Sequence, residues 1–147
     1  EEQIAAMGAK KADLAALLRE SDVVSLHAPS LDSTYHMIDR AGLAAMKDGA
    51  ILINTARASL IDQDALVDAL QSGKLKYACI DVYEQEPLNA DCPLRSLPNC
   101  ILTPHVAGVS FGHLPQTEER IWRICAENLE RYAAGDPLRN LVREIPL

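Results

Sequence analysis

The stretch Ile51-Leu-Ile-Asn-Thr-Ala-Arg-Ala-Ser-Leu-Ile-Asp62 constrains the fold of this chain more than any other. A short apolar run gives way to Asn54, Thr55 and Arg57, then to the small pair Ala58-Ser59, and ends on Asp62, which opens a helical pattern. An apolar run of strand length followed by small and polar residues reads as a buried strand whose carboxyl end delivers an arginine. In an open α/β sheet ligands sit outside the carboxyl ends of the strands, so Arg57 stands where an anionic ligand would be met.

The flanking sequence repeats this alternation. Asp13 is a suitable N-cap for Leu14, Leu17 and Leu18 at helical spacing, and that helix ends near Ser21. Val23 to Leu26 reads as a buried strand closed by His27-Ala28-Pro29, because a proline pushes its predecessor into extended geometry and cannot extend a ladder. Ser30 to Thr34 reads as a loop. Asp39 caps a helix carrying Leu43 and Met46 that stops at Asp48-Gly49, and residues 50 to 53 form the next strand. Asp62 caps a third helix, with Asp64 in its positive first turn, Leu66, Val67 and Leu70 on one face, and Gly73 just past its end.

Residues 77 to 82 read as a strand, residues 84 to 99 with Pro87, Pro93 and Pro98 as a loop, and residues 100 to 103 as a last short strand. A terminal helix, about residues 116 to 134, aligns Ile121, Cys125, Leu129 and Tyr132 in one apolar stripe and stops at Gly135 before Pro137. Leu141, Val142, Ile145 and Leu147 in the tail are costly to leave in water and are expected to dock. Residues 1 to 12 are too mixed to assign. Strands alternating with helices mean crossovers and a parallel sheet, an α/β fold.

With 147 residues and 48% hydrophobic content, the chain supports one domain with a real core, or part of one. A net charge of -7 and the absence of a basic stripe argue against a nucleic-acid partner. No apolar stretch approaches the roughly 20 residues of a membrane helix, and no leader is present, so no membrane partner and a cytoplasmic location are expected. The cysteines at 79, 92, 100 and 125 lack metal-site or disulfide spacing. They read as reduced thiols, Cys79 and Cys125 on apolar faces, and no metal is expected. The start at Glu-Glu-Gln suggests a piece of something longer.

The polar groups that carry chemistry share an address. His27 follows the first strand, Asn54 and Arg57 the second, Asp81 and Glu86 the third, and His105 the fourth. A parallel sheet gathers them along one edge, where doubly wound folds build their sites. Arg57 can grip a carboxylate with two parallel hydrogen bonds, although a surface salt bridge would also explain it. His105 suits proton transfer near neutral pH, with Glu86 as the carboxylate that fixes its tautomer, although a histidine beside Pro104 can equally be structural. Asp81 is either a turn-capping carboxylate or an acceptor for a ligand amide. His36 and His113 have no such company and read as surface residues.

Three segments taken together, Asn54-Thr-Ala-Arg57 continuing to Asp62, Asp81-Val-Tyr-Glu-Gln-Glu-Pro87 and Thr103-Pro-His-Val-Ala-Gly108, resemble the NAD-dependent D-2-hydroxyacid dehydrogenases. Ser21-Asp-Val-Val-Ser-Leu-His-Ala-Pro29 matches a fourth segment of that family. The resemblance runs from about Asp13 to the end. It implies the second half of a Rossmann-like NAD-binding domain over residues 1 to 115, with residues 116 to 147 as a terminal helix and tail packing toward a substrate domain. It places the catalytic residues on Arg57, Glu86 and His105. Cofactor contacts fall on His27, Ala28, Pro29, Thr34, Thr55, Ala56, Arg57, Asp81, His105 and Gly108, with Asp81 meeting the nicotinamide carboxamide.

By the same resemblance the activity is hydride transfer between NAD, or alternatively NADP, and a small 2-hydroxy or 2-oxo acid, in a homodimer. Arg57 would bind the substrate carboxylate, His105 would exchange the proton, and Glu86 would hold the imidazolium. Two departures stand out. Ala58-Ser59 occupies a pair that is often Gly-Gly, and the G-x-G-x-x-G phosphate turn is absent, so these residues alone are expected to bind dinucleotide poorly and to be inactive. Two other classes compete: a dinucleotide-sensing, corepressor-like protein-binding module, and a scaffold piece whose sheet edge and terminal stripe pair with another chain.

Overall fold

The computed structural model describes residues 2 to 108 and 114 to 139, which fall into two compact units, Glu1–Gly108 and Val109–Leu147. In the first unit the order is α1 (Glu2–Ala6), α2 (Leu14–Glu20), β1 (Val23–Leu26), α3 (Arg40–Ala45), β2 (Ala50–Asn54), α4 (Gln63–Gln71), β3 (Leu75–Ile80) and β4 (Cys100–Leu102). Each of the three main helices starts where an aspartate can satisfy a free N–H. Asp13 accepts from the amide of Ala16 at 2.7 Å, Asp39 from that of Gly42 at 2.7 Å and Asp62 from that of Ala65 at 3.0 Å. Gly73, with φ 75°, makes the left-handed exit from α4 that a side chain would resist.

The four strands form one parallel sheet in sequence order, β1-β2-β3-β4. Its register is flush at the carboxyl end. Leu26 pairs with Asn54, Asn54 with Ile80, and Ile80 with Leu102. The residue after each strand therefore stands in one row: His27, Thr55, Asp81 and Thr103. The first two crossovers carry α3 and α4. The third, from β3 to β4, has no α-helix, only one 3-10 turn at Pro93–Ser96 pinned by Leu94, which is 2% exposed.

Helix residues Leu18, Leu43, Leu66 and Leu70 join Val24, Leu26, Leu52, Ala78 and Ile80 in a single buried cluster. Alternation puts the other side chains of the sheet on the opposite face, where Val23 is 51% and Ile101 54% exposed. Val23 to Leu26 is thus a strand, but a half-buried one, which corrects the expectation of a fully buried run. Cys79 lies half-buried on that same open face.

Several boundaries move. β3 runs Leu75–Ile80, not 77 to 82, because pairing begins at Leu75 opposite Ala50 and the chain leaves the sheet at Asp81, whose carboxylate binds another segment. β4 stops at Leu102 just ahead of Pro104, which lacks an N–H, and β2 extends one residue to Asn54. A 3-10 turn, Asp32–Thr34, occupies part of the loop from Ser30 to Thr34, and α1 lies in the stretch left unassigned.

In the second unit α5 spans Leu114–Ala134 and ends at Gly135, with φ 76°. Ile121, Trp122, Leu129 and Tyr132 are all more than half exposed, and Cys125, on the same helical stripe as Ile121 and Leu129, is exposed with them. Asn128 and Arg139 exchange two hydrogen bonds, at 3.1 and 2.9 Å, which fold the start of the tail back on the helix. His113 and the tail residues Leu141, Val142, Ile145 and Leu147 lie outside the described residues. Among the described residues no helix is long and apolar enough to cross a membrane.

Candidate active site at the carboxyl edge of the sheet

Asn54, the last residue of β2 and 1% exposed, shapes the turn that carries Arg57. Its Nδ2 donates to the carbonyl of Arg57 at 2.8 Å, and its Oδ1 accepts from the amide of Ala56 at 3.0 Å. A buried amide that satisfies both its ends on one turn fixes that turn. Arg57 emerges from it exposed, with Nη1 donating to the carbonyl of Ala56 at 2.6 Å. His27, Ala28, Pro29, Ser30, Thr55, Ala56 and Arg57 line an open recess of about 580 Å3 at the ends of β1 and β2.

The loops behind β1 and β2 are tied together. The Ser30 and Ser59 hydroxyls meet at 2.7 Å, and Ile38 forms a parallel bridge with Ile61. Thr34 spends its hydroxyl inside its own loop, donating to the carbonyl of Pro29 at 2.7 Å and accepting from the amide of Leu31 at 2.9 Å. The side chain of His27 meets the hydroxyl of Ser25 at 2.9 Å.

On the other half of the edge stands a histidine–carboxylate pair. Nδ1 of His105 lies 2.8 Å from Oε2 and 3.0 Å from Oε1 of Glu86. An ionised carboxylate only accepts, so Nδ1 carries the hydrogen and Nε2 is left for another partner. Oε1 of Glu86 also accepts from the amide of Tyr83 at 3.1 Å. The bond to His105, then that to Tyr83, holds the Glu86 carboxyl below the ordinary carboxylate range.

His105 occupies the left-handed region at φ 55°, a conformation that costs an L-residue roughly 1 to 2 kcal/mol. Asp81 holds it there. Its side chain, in a residue 2% exposed, accepts from the hydroxyl of Thr103 and from the amides of Val106 and Ala107, both at 2.9 Å. The loop is thus gripped on both sides of the histidine. Burial pushes the Asp81 carboxyl up, but the Thr103 hydroxyl, the two amides and the nearby His105 together bring it below its ordinary value. Gly108 ends the segment, with open space where a Cβ would stand.

The structure therefore joins Glu86 to His105 and anchors the His105 loop through Asp81. It groups His27, Ala28, Pro29, Thr55, Ala56 and Arg57 around one recess, and it gives Thr34 a loop-closing bond. No direct contact links Arg57 to the Glu86–His105 pair among the described hydrogen bonds. Sequence reasoning missed the parts played by Thr103 and Tyr83. The signal was there for Thr103, a hydroxyl one residue past a strand that ends beside a buried carboxylate. For Tyr83 there was none, since its contribution to Glu86 is a backbone N–H. Among the described residues no group of three His, Cys, Asp or Glu side chains could hold a metal.

The chain is 44% identical over 138 residues to a glyoxylate reductase of Korarchaeum cryptofilum, which covers 94% of this chain and 40% of that protein. Among solved structures it matches the apo D-mandelate dehydrogenase of Rhodotorula graminis at a TM-score of 0.85 and 39% identity, over 99% of this chain and 41% of that one. A D-isomer specific 2-hydroxyacid dehydrogenase from Xanthobacter autotrophicus, solved with NADPH and MES, matches at a TM-score of 0.79 and 35% identity, over 88% and 51% of the two chains. The chain thus spans about 40% of the length of the curated relative it matches. Residues 1–107 match the NAD binding domain of the D-isomer specific 2-hydroxyacid dehydrogenases, and the chain belongs to that family.

Proposed function

We propose that the polypeptide to which these residues belong is an NAD(P)-dependent oxidoreductase that interconverts D-2-hydroxy acids and 2-oxo acids. The observation that carries the reading is the Glu86–His105 pair, with Nδ1 engaged and Nε2 available, on a loop anchored by a buried aspartate. The residues at the edge suit a nicotinamide cofactor. The recess of about 580 Å3 has small walls at Ala28 and Ala56, and its position past the ends of β1 and β2 is where such folds take dinucleotides. His27 to Pro29 and Thr55 to Arg57 would hold the cofactor there. When bound, the nicotinamide supplies the hydride.

The chain's own residues supply binding, charge and the proton. Arg57 presents a planar fork to the substrate carboxylate once it releases the carbonyl of Ala56. His105 gives the proton from Nε2 to the oxygen at C2 during reduction and takes it back during oxidation. Glu86 accepts the hydrogen of Nδ1, which fixes the ring orientation and leaves Nε2 for the exchanged proton. Asp81 accepts from Thr103, Val106 and Ala107 and so supports the loop, and the acceptor capacity left on its Oδ2 suits the nicotinamide carboxamide. Residues 116 to 147 are read as a helix and tail that pack toward a substrate domain, which accords with the exposed Ile121, Leu129 and Tyr132. A homodimer in the cytoplasm completes the proposal.

The test is an assay of the whole protein that contains this segment, with NADH or NADPH and a panel of 2-oxo acids beginning with glyoxylate. Turnover at ordinary enzyme rates is expected, and His105→Gln lowers kcat by roughly a hundredfold or more, the usual share of a general acid. Absence of turnover across the panel, with dinucleotide still bound, would move the assignment to a ligand-sensing module.

A further inference from the structure

The loop from Gln85 to Asn89 carries Glu86, yet Glu86 has little burial to fix it. Its side chain is 38% exposed and that of His105 49%. An exposed carboxylate samples many rotamers unless its backbone is held. The hold comes from a residue that the catalytic reading does not use. Arg95 follows Leu94, the buried anchor of the 3-10 turn. From that anchor its Nε donates to the carbonyl of Asn89 at 2.8 Å and its Nη2 to the carbonyl of Leu88 at 2.7 Å. The side-chain Nδ2 of Asn89 then donates to Oε1 of Gln85 at 2.8 Å, closing the loop on the near side of Glu86. Arg95, Glu86 and His105 share the wall of one cavity of about 530 Å3.

We propose that Arg95 is a positioning residue, whose guanidinium fork clamps the Leu88 and Asn89 carbonyls so that the Glu86 carboxylate stays against Nδ1 of His105. A planar fork with donors in fixed directions can grip two successive carbonyls at once, and it loses less freedom per bond than an ammonium would. The idea rests on Glu86 and His105 working as a proton-transfer pair, but the clamp itself is readable without turnover.

The reading is the tautomer of neutral His105, taken from long-range 1H–15N correlation spectra of the whole protein that contains this segment. Glu86 stabilises the Nδ1–H form, whereas a free imidazole in water prefers Nε2–H. The wild-type chain is expected to hold Nδ1–H. In Arg95→Ala the ratio of Nδ1–H to Nε2–H falls by about threefold or more, the size expected when one hydrogen bond is loosened. Arg95→Lys keeps the charge without the fork and falls as well. Asp62→Ala, a cap lesion of similar cost far along the chain, leaves the ratio unchanged, which separates positioning from general weakening. A wild-type ratio in either folded Arg95 variant overturns the proposal, and so does a wild-type chain already in the Nε2–H form. If the clamp passes and the dehydrogenase assay fails, the functional reading falls and the clamp stands.

Discussion

Asp81 combines burial, charge and three accepted hydrogen bonds, and so concentrates more of the site's order than any single residue around it. Replacing it by Asn puts an NH2 either against the Ala107 N–H or against the Val106 N–H and the Thr103 hydroxyl, where an acceptor is needed. We expect Asp81→Asn to lower stability by about 1 to 3 kcal/mol in urea titration, and to release His105 from its left-handed conformation. The pH dependence follows from the same bonds. Asp81 and Glu86 both titrate below the ordinary carboxylate value of about 4, so the unfolded chain takes up protons first as the pH drops. Their contribution is fully present above that value and is lost as the pH falls through their lower native values. Thermal midpoints measured from pH 6 downward should therefore decline below about pH 4, and Asp81→Asn should flatten the decline. A slope unchanged by the substitution would assign the acid sensitivity elsewhere. Cys100 shows the opposite case: burial, with Cys79 and Cys92 nearby, pushes its thiol up to about 11, which leaves it unreactive at neutral pH.

At the level of elements, α4 separates two kinds of stabilisation. Its aspartate cap is a local interaction legible in sequence, while Leu66 and Leu70 are buried against the sheet at 2% and 3% exposure. Asp62→Ala should cost about 1 kcal/mol, and Leu66→Ala about 2 to 5 kcal/mol, because a cavity is left as well as apolar area lost. Equal losses in chemical denaturation would mean that α4 is held by its cap rather than by its packing. The helices and most strands were legible because their signals are short-range: aspartate caps at 13, 39 and 62, glycine exits, and alternation of apolar runs. Edges were less so. Where β3 starts and stops depends on the register against β2, and the exposure of Val23 depends on which face of the sheet the helices cover, and both are long-range facts.

For the whole molecule, the described sheet leaves one apolar face open, and the 147 residues contain no G-x-G-x-x-G turn. The edge holds a recess but lacks the glycine-rich turn and helix N-terminus that grip a pyrophosphate, so NADH titrated into this chain should bind more weakly than about 1 mM. Submillimolar affinity by calorimetry would show that the recess beside His27 and Thr55 suffices. The alternation of strands and helices is written in the residues, and with it a parallel sheet with Arg57, Asp81, Glu86 and His105 near one edge. It is legible there because caps, turns and period-2 patterns are local. It takes the folded chain to bring the Asp81 oxygens to the loop around His105, the Tyr83 backbone amide to Glu86, and the Arg95 guanidinium to the carbonyls of Leu88 and Asn89. The Asp81 contacts join residues up to 26 positions apart through strand register, and the other two, although short in sequence, depend on how the loop after β3 closes.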